Sequence, residues 1–214
     1  MAVLRSPPPP GRQGLAVHGR GGVQLCDAAL PPAVVEAAYR YSLASGVSLC
    51  AFLGDTCATP RLTPDIRQLH DTYYEPLAEV VATASALLAG PHPVRKLLFM
   101  SDAATIAGSV LPYWLAALPG TGAEPMQAVD TMLEIVPAGV NKWGGCVALL
   151  DHLGLPAAAL MAVGDGGNDL AMLAGAGLGV AMGNAVPGVR AAADVVVAGH
   201  DEGGVAEAFE RFVL

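Results

Sequence analysis

The chain has 214 residues, 53% of them hydrophobic and only 14% charged, so it is long and apolar enough to bury a sizeable core and is not a disordered chain. A net charge of −8 and 5% aromatic residues leave no basic stripe, which argues against a nucleic acid or an acidic membrane as partner. The four cysteines (Cys26, Cys50, Cys57, Cys146) form no Cys-x-x-Cys pair and no metal-ligand spacing with the histidines, so buried, reduced thiols are expected.

Residues 1–14, with the proline run Pro7 to Pro10, read as a flexible lead-in. No apolar signal region follows, and no uninterrupted apolar run is long enough for a membrane span. Residues 15–137 read as an α+β module. Leu15–Val17 and Val23–Leu25, separated by a Gly-rich turn, predict a hairpin. The spacing of Val34, Val35, Ala38 and Tyr41 predicts a helix over Pro31–Ala44, followed by a strand at Val47–Leu53 and a loop from Gly54 to Pro64. A second helix is expected over Leu77–Leu88, a strand over Lys96–Met100, a third helix over Ala104–Leu118 and a strand over Met132–Val136.

After Pro137-Ala138-Gly139 the texture changes, and residues 138–214 form the second region. Helix Trp143–His152, strand Ala159–Val163, helix Asp169–Ala174, strand Gly179–Met182, helix Pro187–Ala192, strand Asp194–Val197 and helix Gly203–Phe212 alternate, as they do in a parallel α/β sheet. The most informative stretch lies here. An apolar strand ends abruptly in Gly164-Asp165-Gly166-Gly167-Asn168-Asp169, at the carboxyl edge where open α/β sheets bind ligands. Two carboxylates four residues apart, among glycines that let a phosphate approach the backbone, suit a hard, oxygen-preferring cation such as Mg²⁺. The dinucleotide fingerprint is absent because residue 169 is not Gly, and no Walker-type loop occurs. Lys142 stands alone as the lysine of the last region; an ammonium beside these carboxylates suits phosphate. From Thr131 onward nine acidic residues face three basic ones, a balance that repels an anionic substrate unless a cation intervenes.

Three segments together resemble Cof-type hydrolases of the haloacid dehalogenase superfamily. They are Glu134-Ile135-Val136-Pro137-x-Gly139-x-x-Lys142, Gly164-Asp165-Gly166-x-Asn168-Asp169-x-x-Met172-Leu173 and Gly179-Val180-Ala181-Met182-Gly183-Asn184-Ala185. The tail Ala193-Asp194-Val195, then Asp201-Glu202-Gly203-Gly204-Val205-Ala206, fits as well. The resemblance implies the C-terminal half of a Rossmann-like α/β core with a parallel sheet, plus an α+β cap. It also implies a Mg²⁺-dependent phosphatase of small phosphorylated metabolites. On that basis Lys142 contacts phosphate and nucleophile, Asp165 ligates Mg²⁺, Asn168 contacts the substrate phosphate, Asp169 is a second acidic group of the metal shell, and Asn184 orders the neighbouring loop.

The family begins its chemistry with an N-terminal Asp-x-Asp pair, and no Asp-x-Asp occurs in these 214 residues. Asp55 and Asp102 each follow an apolar run but lack the second acid, so they read as turn or cap residues. The expectation is therefore an incomplete, catalytically impaired form of a phosphatase. The alternative is a non-catalytic module or pseudoenzyme that binds phosphate or metal, and a third reading is an α/β ligand-binding domain with no phosphate role. Tyr73, Tyr74, Arg61, Arg67 and His70 form a polar-aromatic set that either lines a substrate entrance or is simply a surface loop and helix start. Cytosol and plastid stroma both suit the composition.

Overall fold

The structure, a computed structural model, describes residues 15–127 and 129–214. The expected lead-in over residues 1–14 lies outside the described residues. The rest falls into two compact units, residues 28–139 and residues 15–27 with 140–214.

The described chain opens with the hairpin of β1 (Ala16–His18) and β2 (Gln24–Asp27), irregular between Val17 and His18. The sequence placed this hairpin in the first module, but it belongs to the second unit. Its turn is held from a distance of more than a hundred residues. The backbone N–H of Arg20 donates to His152 Nε2 at 3.1 Å, and a Cβ on Gly19 would sit 2.5 Å from the same ring. Such a contact leaves no local trace in sequence.

Residues 28–139 build a six-stranded sheet and its helices. Helix α1 (Pro32–Ser45) starts on a proline at its first turn and ends at Gly46, whose φ of +84° only glycine adopts without strain. Strands β3 (Ser48–Phe52) and β4 (Cys57–Thr59) pair antiparallel, so the expected loop over Gly54–Pro64 contains a strand. Next comes α2 (Pro64–Tyr73), capped by Thr63, whose side chain accepts from Ile66 N at 3.3 Å. The helix expected over Leu77–Leu88 is instead β5 (Glu79–Val80), paired parallel to β4, and the single turn α3 (Ala84–Leu88). Thr63-Pro64-Asp65 was the stronger helix-start signal, and the adjacent Val80 and Val81 favour an extended chain.

Strand β6 (Lys96–Met100) follows as expected. The third helix is one helical run: α4 (Ala103–Thr105), a π-turn at Ile106–Val110 and α5 (Leu111–Ala117). Strand β7 (Ala123–Met126) was not foreseen, and β8 (Met132–Pro137) was. The order is β5-β4-β3-β6-β8-β7, antiparallel except for β4 with β5. The central strand β6 is buried along its whole length, which is why Leu97–Met100 is a continuous apolar run rather than an alternation, and the buried Lys96 at its start pairs with Glu134 at 2.8 Å. Leu49, Leu97, Phe99, Leu133 and Ile135 pack with Val35, Ala38 and Trp114, and Phe99 stacks on Trp114 with ring centroids 5.3 Å apart. Cys50, Leu98, Met100 and Met132 form a smaller cluster with Ile66 and Leu69 of α2.

The second unit continues with α6 (Lys142–Leu153), β9 (Met161–Gly164), α7 (Leu170–Gly175), β10 (Leu178–Ala181), α8 (Pro187–Ala192), β11 (Val195–Val196) and α9 (Gly204–Phe212). Strands β9, β10 and β11 form a parallel sheet in the order β11-β10-β9, the arrangement expected of alternating strands and helices. Ala162, Ala181, Ala185 and Val189 pack with Leu173, while Val180, Met182 and Val197 pack with Ala208. All four cysteines are free, Cys50 and Cys57 buried and the other two half-buried. Among the described residues no helix is long and apolar enough to cross a membrane.

Candidate active site

Parallel pairing of β9 with β10 brings their carboxyl ends level, Gly164 opposite Ala181. Beyond β9 the chain turns at Asp165 and Gly166, makes a single 3₁₀ turn (Gly167–Asp169) and enters α7. The Asp169 carboxylate closes this turn on itself. Its Oδ2 accepts from the backbone N–H of Asp165 at 3.0 Å and of Gly166 at 3.1 Å, and its Oδ1 accepts from Lys142 Nζ at 2.5 Å. The turn is possible only because residue 164 lacks a side chain: a Cβ there would lie 2.5 Å from Asp169 Cβ.

Lys142 is the first residue of α6, after the N-cap Asn141, whose Oδ1 accepts from Gly144 N at 2.9 Å. A cation at a helix N-terminus opposes the macrodipole at a cost of about 0.3–1 kcal/mol. Here that cost is offset by a charge-assisted bond to a carboxylate whose side chain is only 4% exposed, while the lysine side chain keeps 30% exposure. A buried Asp169 without this ammonium would be an uncompensated charge.

Asp165 is exposed. Its Oδ2 accepts from Asn184 Nδ2 at 2.8 Å, its backbone carbonyl accepts from Val186 N at 3.1 Å, and among the described residues nothing donates to its Oδ1. Asn168, half-buried at the same turn, has no side-chain partner among the described residues. Its Oδ1 would lie 2.7 Å from a Cβ on Gly166, so a side chain there would displace the Asn168 carboxamide. One turn beyond Lys142, burial pushes the Cys146 thiol up, only partly offset by Lys142, so it is not a ready thiolate nucleophile.

Lys142, Asp165 and Asp169 thus converge through direct bonds, with Asn168 on the same turn. Asp169 does not fit the expected part of a direct cation ligand, because protein donors engage both its oxygens and it is 3% exposed. Its place is to hold Lys142 and the turn. Asp165 does fit a hard cation, as a solvent-facing carboxylate with one undonated oxygen. Among the described residues no group of three His, Cys, Asp or Glu gathers around it that could hold a metal. The bond from Asn184 to Asp165 was not foreseen; its only signal was a polar Gly-Asn turn closing the next apolar strand. Asp102 is a helix cap, its Oδ1 accepting from Thr105 N at 2.9 Å, and the hydrogen bonds from Thr105 hold its carboxyl below the usual range. Of the polar-aromatic set, His70 Nδ1 meets the Glu75 carbonyl oxygen at 2.9 Å, Arg61 donates to the Gly46 carbonyl, and Tyr74 ends α2 in the left-handed region, so these contacts are local.

A family model of haloacid dehalogenase-like hydrolases matches residues 25–209. The chain is 39% identical over 202 residues to the Arabidopsis thaliana protein named Endoribonuclease YBEY, chloroplastic, across 94% of this chain and 34% of that protein. It is 29% identical over 174 residues to the HMP-PP phosphatase of Citrobacter koseri, across 81% of this chain and 62% of that protein. Among solved structures, a haloacid dehalogenase-like hydrolase from Bacteroides thetaiotaomicron matches with a TM-score of 0.77 at 31% identity, over 89% of this chain and 70% of that one. This chain therefore spans only about a third of the Arabidopsis relative's length and under two thirds of the Citrobacter relative's.

Proposed function

The chain belongs to the haloacid dehalogenase-like hydrolase family, and we propose that it carries the phosphate-facing and cation-facing part of a Mg²⁺-dependent phosphatase site for small phosphorylated metabolites. The observation that carries this reading is the bonded set of Lys142, Asp169 and the Asp165 turn at the carboxyl end of β9. Lys142, fixed by Asp169, presents positive charge to an incoming phosphoryl group and to the charge that develops during transfer. The Asn168 carboxamide donates to a phosphoryl oxygen. Asp165 offers one carboxylate oxygen to the cation, with Asp169 behind it as support. A Mg²⁺ held by Asp165 would neutralise phosphoryl charge at this edge. Residues 28–139 act as the cap that selects substrate.

These residues hold an anion in an otherwise acidic unit, but they contain no Asp-x-Asp pair to attack phosphorus. Turnover on this reading needs an attacking carboxylate from outside the 214 residues, and these residues alone are catalytically impaired. The second reading, a binding module or pseudoenzyme, rests on that same observation. The chloroplastic name of the Arabidopsis relative favours the plastid stroma among reducing compartments.

The test is binding of inorganic phosphate to the 214-residue chain with and without Mg²⁺, beside hydrolysis of a panel of small phosphomonoesters. Mg²⁺-dependent phosphate binding that falls by about tenfold or more in Asp165→Asn is expected. Phosphate binding indifferent to both Mg²⁺ and Asp165→Asn would sink the reading. Robust hydrolysis by the chain alone would overturn the impairment.

A further inference from the structure

The helix that carries Lys142 is held to its unit by few side chains. In α6 only Gly145 and Leu150 are buried, and none of its residues belongs to the apolar clusters around the β9–β11 sheet. At its far end His152 accepts from the hairpin turn. At its near end two consecutive residues reach α7. Lys142 bonds to Asp169, from which α7 starts, and the half-buried Trp143 lies on Gly175, with which α7 ends. A Cβ on Gly175 would stand 2.5 Å from Trp143 Cε2, 2.6 Å from Cζ2 and 2.7 Å from Cδ2, so the fused centre of the indole rests directly on helix backbone. Six residues make α7 only about 9 Å long. Neighbouring side chains of α6 therefore grip it at both ends.

The second contact does what the lysine bond cannot do alone. A single bond from a flexible four-carbon stem fixes a distance, and several rotamers of the stem can satisfy it. A flat ring seated at the opposite end of α7 removes the freedom of α6 to pivot about that bond. The ammonium donors that Asp169 does not take then keep one direction, and a charge held in place stabilises an anion without having to reorganise. We infer that Trp143 is a positioning residue which, by seating on Gly175, aims the Lys142 ammonium at the phosphoryl group. The inference rests on the phosphate-facing reading of Lys142 proposed above. Trp143 acts through the two helices and does not touch phosphate.

The experiment measures the affinity of the 214-residue chain for inorganic phosphate, together with the NMR signal of Lys142 Nζ and the urea midpoint. The variants are Trp143→Leu, Gly175→Ala, the two combined, and Lys142→Gln. Trp143→Leu removes the ring, whereas Gly175→Ala keeps it and puts a methyl where it lies. Each of these two should lower phosphate affinity by about tenfold and shift the Lys142 Nζ signal, with the amide signals of β9 and β10 retained. The combined variant should bind no more weakly than Trp143→Leu, because the methyl then has no indole to displace. Gly175→Ala is the smaller change and keeps the test open should Trp143→Leu fail to fold. A Trp143→Leu chain that unfolds at lower urea, yet keeps its phosphate affinity and Nζ signal, overturns the inference alone, since the ring then only packs. Losses that add in the combined variant overturn it as well. No phosphate binding by the unmodified chain, or binding unchanged in Lys142→Gln, overturns the phosphate-facing reading and this inference with it.

Discussion

The two units reach stability by different means. Among the largest fully buried side chains of the described residues (Trp114, Tyr39, Phe99 and several Leu, Ile and Val), only Leu173 belongs to the second unit. Residues 28–139 are held by volume, with large rings and aliphatic chains filling both faces of a broad sheet. The second unit is held by closeness. Its core is alanine and valine around Leu173, and several of its glycines sit where a Cβ would press on a neighbour: Gly175 on Trp143, Gly179 on the Leu173 carbonyl, Gly204 on the Ala198 carbonyl. The chemistry sits in the unit built this way. A turn that aims two backbone N–H groups at one carboxylate oxygen needs the backbone itself to approach closely, and bulky side chains prevent that.

If the contrast is sound, damage in one unit should stay there. Trp114→Ala removes the ring stacked on Phe99 and should cost about 3–5 kcal/mol, as such truncations of a packed core do. Amide hydrogen exchange should then rise across β3, β6 and β8, with little change in β9 and β10. Equal loss of protection in both sets would break the distinction. The reciprocal substitution is Gly204→Ala, whose new Cβ would stand 1.9 Å from the Ala198 carbonyl oxygen, backbone that cannot swing aside. A cost of about 3 kcal/mol, the upper end of ordinary overpacking, is expected from urea unfolding, with exchange raised in β10, β11 and α9 alone. A cost near zero would mean that closeness is not what holds this unit.

The same contrast explains what the sequence disclosed. The second unit was legible almost element by element, because short strands and helices there are punctuated by Gly, Pro, Asp and Asn, and local patterns specify local turns. Lys142, Asp165, Asn168 and Asp169 could be picked out because charged and amide groups stand out against an apolar background. What could not be read were pairings distant in sequence: His152 with the hairpin turn, and Asn184 with Asp165. Nor does residue type say which donors the Asp169 oxygens meet, here Lys142 and two backbone N–H groups. In residues 28–139, β4, β5 and β7 are too short to show an alternating pattern, and sheet order depends on side-chain volumes packed across strands. Leu77–Leu88 has helical spacing by composition, but pairing of Glu79–Val80 with β4 overrides it.

The smallest expected effect probes a flaw in the volume-held unit. Tyr39 is fully buried, yet its hydroxyl has no hydrogen-bond partner among the described residues. Burial, and then the nearby Cys50, push its pKa up from 10.0 to about 12. The folded chain therefore keeps this proton to higher pH than the unfolded chain does. Its contribution to stability is whole below pH 10, and is lost as pH rises from there through about 12. Tyr39→Phe removes both the orphaned hydroxyl and this titration, so at pH 7 it should leave stability unchanged or raise it by up to about 1 kcal/mol. The gap in its favour should widen as pH climbs above 10. Cys50, whose thiol is also raised well above its ordinary value, with the Cys57 hydrogen bond the largest cause and burial next, supplies the alkaline slope that remains in the variant. Urea midpoints of the two proteins at pH 7, 9 and 11 test the point. A variant less stable than the parent at pH 7 would mean that the hydroxyl is satisfied after all and that volume alone does not hold this unit.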